Sequence, residues 1–168
     1  MWLAALRGAR RPYPGGMALA AVEGRGQLLD AIVEATDEIA LALASLGAAY
    51  EQLDHDTADK LEEELFQPVQ LAYGRAKRAH AGFAGRHGLE GHAFQAGSPG
   101  LASTRAKGLI ERAVEGVSRA DGALATLQDS YLPLEFGDVE LRAGLAEVRE
   151  LMGGFGQRAR ELLRALGR

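Results

Sequence analysis

Apolar residues recur at alternating spacings of three and four in four separate stretches of the chain. That is the pattern of amphipathic helices that each bury one face. The first stretch carries Ile32, Thr36, Ile39, Leu43, Leu46, Tyr50 and Leu53, with a companion column of Leu28, Ala35, Ala42 and Ala49 at every seventh position. The small residues of that column predict close approach of a neighbouring helix, and helix 1 is predicted from residue 19 or 27 to 54. Asp54, Asp56 and Thr57 are cap-competent and open helix 2, whose stripe reads Leu61 or Leu65, then Phe66, Val69, Tyr73, Ala76, His80 and Phe83. Pro68 lies inside it, removes one backbone hydrogen bond and clashes with the carbonyl of Glu64, so a bend is predicted near residues 64–68.

Ser98 and Pro99 form an N-cap and first-turn pair that predicts helix 3 over 99–130, with the stripe Ala106, Ile110, Ala113, Val117, Ala120, Leu124, Leu127 and Tyr131. Asp138 caps helix 4, whose stripe is Leu141, Leu145, Val148, Met152, Phe155, Ala159, Leu162 and Leu166. Four segments of similar length, about 28 to 30 residues or ~42–45 Å each, predict an all-α fold: an antiparallel up-down-up-down four-helix bundle with a flexible N-terminal arm. The bundle domain is placed at residues 19–168 and the loose arm at 1–18. A helical hairpin that completes its core only by dimerising is the rival, because a stripe does not say whether its partner lies in the same chain.

The arm reads MWLAALRGARRPYPGG, an apolar run followed by Arg7, Arg10 and Arg11. This reverses the order of a secretory signal and is too short to span a bilayer. Met17 follows as a second candidate start. At 168 residues, 47% hydrophobic and 25% charged, the composition is that of one globular domain. The absence of cysteine excludes disulfides, thiolate metal sites and a cysteine nucleophile. A cytoplasmic protein without a membrane span is expected.

Chemistry is sparse. A carboxylate-bridged di-metal site needs inward Glu-x-x-His pairs, and the residues three before His55, His80, His87 and His92 are Gln52, Lys77, Ala84 and Leu89. No metal site and no cofactor is expected. The serines lack a nucleophile elbow. Acidic residues gather at 51–64 and basic ones at 75–86, which complements the helix macrodipole. Four cations without interleaved exposed aromatics on a chain of net charge −4 make a poor nucleic-acid footprint, so no nucleic acid is expected.

His80 lies on the apolar stripe with His87 seven residues later. The plain expectation is a partly buried seam histidine, one nitrogen bonded to a carbonyl or water, its pKa lowered by burial. The functional alternative is a titrating pair or a phosphoacceptor. Histidine phosphotransfer domains are also four-helix bundles with a histidine on helix 2, but their His-x-x-Lys-Gly pattern is here His80-Ala81-Gly82-Phe83-Ala84-Gly85, with Phe83 in place of the lysine. The long Gly-rich connection 85–97 is where a ligand would bind. Candidate ligand-binding residues are therefore His80, His87, His92, Arg86 and Phe94. Gly153, Gly154 and Gly156 interrupt the strongest stripe and predict close helix approach, a bulge or a small pocket near Met152 and Phe155, or tolerated composition alone. The expected function is non-enzymatic, through a protein partner or self-association. A small apolar ligand in the bundle core is the alternative.

Overall fold

The computed structural model describes residues 14–167, and no strand occurs among them. Helix α1 runs Pro14–Tyr50, α2 His55–Leu61, α3 Gln67–Arg86, α4 Ala106–Asp129, α5 Leu132–Glu135, α6 Val139–Met152 and α7 Phe155–Leu166. α2 and α3 are joined by a π turn at Glu62–Phe66, so 55–86 is one interrupted helix, and α6 with α7 is another. With α1 and α4 these make the four-helix bundle that the stripes require. Residues 14–18, expected in the loose arm, are already helical; the rest of the arm lies outside the described residues.

The stripes form the core. Ile32, Ile39, Leu46, Ile110, Ala113, Leu141, Leu145, Val148 and Ala159 expose none of their surface, and the companion column Leu28, Ala35, Ala42 and Ala49 is equally closed. Its small side chains admit α4: a Cβ on Gly116 would lie 3.0 Å from the carbonyl oxygen of Glu38 and 3.4 Å from Ala42. Two polar side chains on this face are satisfied within the helix, Thr36 Oγ1 donating to Ile32 O at 2.6 Å and Ser45 Oγ to Leu41 O at 2.9 Å.

Every adjacent pair of long helices is antiparallel, but the order in which the chain visits them is up, down, down, up. Gln52 Nε2 donates to Thr104 O at one end of the bundle, Arg119 pairs with Glu38 midway, and Phe136 packs on Gly24 at the other end, so α4 runs antiparallel to α1. Arg75–Glu147 and Arg86–Asp138 fix α6 antiparallel to α3. α3 and α4 therefore point the same way on opposite corners, where strict alternation was expected. The cause is the connection 87–105, long enough in extended form to travel back along the bundle. It also removes the expected cap: Ser98 Oγ accepts from Gly100 N at 3.3 Å within the crossover, and α4 begins at Ala106 after Arg105.

The other local signals resolve in place. Pro68 sits in the first turn of α3, and the chain meets its missing N–H by widening the preceding turn, with Gln67 N donating to Glu62 O. Asp54 accepts from Thr57 N and Asp138 from Leu141 N, both as N-caps. The glycines of the fourth stripe are a true break: Gly154 has φ +75° and starts α7, while Met152 and Phe155 on either side stay buried.

Candidate functional site

The five candidate residues separate into two groups. α3 ends at Arg86, and His87 leaves helical geometry at φ −110°. There Asp138, the cap of α6, captures both: Arg86 Nε and Nη2 donate to its two carboxylate oxygens at 2.8 and 2.9 Å, and His87 Nε2 lies 2.9 Å from Oδ2. Arg86 also reaches Glu140 at 2.9 Å, and the His87 ring rests on Phe83 with centroids 4.5 Å apart. Asp138 is held far below the usual carboxylate range, first by the hydrogen bonds from Arg86 and then by those from Leu141 N and His87, against its partial burial. This is a clamp between the end of α3 and the start of α6. It takes His87 away from His80, so the two do not form a titrating pair.

His80, His92 and Phe94 do come together. His80 is only 2% exposed and projects from α3 toward the crossover, where the Phe94 ring meets it edge-on at 5.3 Å and the His92 ring lies 6.0 Å away. His92 and Phe94 are themselves 4.6 Å apart. Beside them is a cleft of about 310 Å³ between the start of α1 and the crossover, with Leu29, Asp30, Val33 and Leu89 on its walls and Glu90 and His92 at its open rim. The expected lowering of the His80 pKa is found, caused by burial first and His92 second, with Asp30 acting in the opposite sense. His80 Nδ1 is sealed from the surface and has no protein partner. A phosphoacceptor needs an exposed nitrogen, which this burial opposes.

Two further grooves flank α1 and α3. One, about 350 Å³, is lined mainly by Ala40, Leu43, Ala44, Phe66 and Tyr73, together with Ala96 and Gly97 of the crossover. The other, about 310 Å³, continues past Gly47 and Phe66 to Glu51 and Glu62. Among the described residues no group of three or more histidine, aspartate or glutamate side chains is arranged to hold a metal ion, and no helix is long and apolar enough to cross a membrane. Asp30 had no sequence signal as a neighbour of His80, being fifty positions away on another helix; Asp138 was visible only as a cap. No protein-family model, no curated protein and no solved structure matches this chain.

Proposed function

We propose that this chain is a non-enzymatic bundle protein that works by self-association through one end of the bundle. The supporting observation is the exposed apolar surface at that end. Residues 17–22, Met-Ala-Leu-Ala-Ala-Val, are apolar around the whole helix, and Met17, Leu19 and Val22 remain 67%, 59% and 51% exposed. A helix apolar on every side is one that is buried. At the same end, located by the Gly24–Phe136 contact, Tyr131, Leu134 and Val139 are 65%, 78% and 71% exposed.

At roughly 100 Å² per large side chain these six residues offer on the order of 600 Å² of apolar surface. That is at the upper edge of the largest patch on ordinary monomers and close to the ~800 Å² per partner of a stable interface. A second copy supplies both halves reciprocally, the first turns of α1 from one copy lying on the α5–α6 corner of the other, as a two-fold interface requires. Size-exclusion chromatography with light scattering tests this. A dimer that becomes monomeric in Met17→Glu/Val22→Glu, with unchanged helicity, is the expected result. A wild-type chain that stays monomeric at all concentrations overturns the proposal.

A further inference from the structure

The crossover lies over the seam of α1 and α3 and is fixed there at two places. At one, its backbone reaches α1 directly: a Cβ on Gly97 would stand 2.5 Å from Ala40 O and 2.6 Å from Leu41 N, so only glycine fits. At the other, His92 and Phe94 close on His80. Before the His92 contact Leu89, Glu90 and Gly91 line the histidine cleft, and at the glycine contact Ala96 and Gly97 line the apolar groove.

The His80 contact accepts only one state of the ring. A neutral imidazole has one N–H and one bare nitrogen, whereas the cation has two donors. With Nδ1 sealed and without an acceptor, the cation would bury an unsatisfied charged donor, which is strongly unfavourable. The charged and titratable groups that face this contact come from each surrounding element. Asp30 on α1 favours protonation and His92 on the crossover opposes it, Glu90 lines the cleft beside them, and Lys77 and Arg78 on α3 flank His92 and Phe94.

We propose that residues 89–97 are an acid-released strap: with His80 neutral they lie closed over the α1–α3 seam, and proton uptake at His80 lifts them and opens the apolar groove at Ala40, Leu43 and Tyr73. The strap carries both the aromatic latch and the glycine contact, so it moves as one piece while the bundle beneath stays folded.

NMR on the whole chain at pH 7.5 and pH 5.5 tests it. The expected result is a ring-to-ring contact between His80 and Phe94 that is present at pH 7.5 and lost at pH 5.5, with the amide shifts of α4 and α6 unchanged. In His80→Phe the ring packing is kept and the proton site removed, so the contact with Phe94 persists at both pH values. A wild-type contact that survives at pH 5.5, or one lost equally in His80→Phe, overturns the proposal. Should that variant not fold, the wild-type chain decides: the His80 imidazole titration and the shift of the Phe94 ring share one midpoint if the strap is a histidine latch, and separate midpoints overturn it.

Discussion

Arg158 Nε donates to the carbonyl oxygen of Glu64 across 2.9 Å, and its Nη1 donates to Gly153 O at 3.0 Å. Glu64 O is the carbonyl that Pro68, four residues on and lacking an N–H, cannot serve in α-helical fashion. Gly153 O is at the break between α6 and α7. One half-buried guanidinium thus satisfies backbone acceptors at the irregularities of two neighbouring helices, which explains why both interruptions persist at the same level of the bundle.

Arg158→Ala leaves these carbonyls without that donor and is expected to cost ~1–3 kcal/mol, measured by urea unfolding. Arg158→Lys recovers only part, since an ammonium lacks the planar fork that serves two acceptors. In a Pro68→Ala background the new N–H at position 68 offers Glu64 O an alternative, so the Arg158→Ala cost is expected to shrink, with a coupling of at least ~0.5 kcal/mol in the double-mutant cycle.

Two glycines hold elements together by having no side chain. A Cβ on Gly24 collides with the ring of Phe136, and one on Gly97 with the backbone of Ala40. Gly97→Ala is expected to destabilise by ~1–3 kcal/mol and to weaken the His80–Phe94 ring contact, which NMR reads. Gly24→Ala is expected to displace Phe136, which a change in near-ultraviolet circular dichroism reports. Gly91→Ala, with open space at its Cβ, serves as the control and stays within ~0.5 kcal/mol of wild type.

The helices were legible in the sequence because a 3.6-residue period states which face is buried, and the caps at Asp54 and Asp138 were legible because a side-chain oxygen three residues before a stripe has few other uses there. The period carries no direction, so α4 was assigned to the wrong end of the bundle; only the length of 87–105 hinted otherwise. Ser98-Pro99 misled because the same hydroxyl that caps a helix also closes a tight turn, as it does with Gly100. His80, His92 and Phe94 were all named from sequence. Their separation from Arg86 and His87 was not, since it depends on Asp138, which approaches from another helix.

Asp138 gives a pH dependence with a definite sign. Its carboxyl is lowered from an ordinary 3.8, so the stability it contributes is present above about pH 4 and is lost as the pH falls below that. Asp138→Asn keeps a cap-competent side chain but loses the charge facing Arg86 and His87, so its stability is expected to fall less steeply with acid than wild type. Asp138→Ala removes the cap as well and is expected to cost a further ~0.5–2 kcal/mol. Urea midpoints at pH 7 and pH 3 separate the two effects.

His80 acts in the opposite pH region. Burial, reinforced by His92 and opposed by Asp30, lowers its pKa from 6.5, so its contribution to folding is complete above about pH 6.5 and declines as the pH drops through 6.5 toward the lowered value. His80→Phe removes the orphaned Nδ1 and is expected to be at least as stable as wild type at pH 7.5, with a flatter stability profile between pH 6.5 and 5. A steeper profile would show that the ring is charged in the native state.

The return path of the crossover leaves Met17 and Leu166 at opposite ends of the bundle, separated by most of the ~55 Å length of a 37-residue helix. A pulling force applied between them runs parallel to the helix axes, so the interfaces are loaded in shear and many contacts resist at once. Strict alternation would have brought both attachment points to one end, where the same force peels helices apart turn by turn. Under such a load the bundle would resist as a short strut.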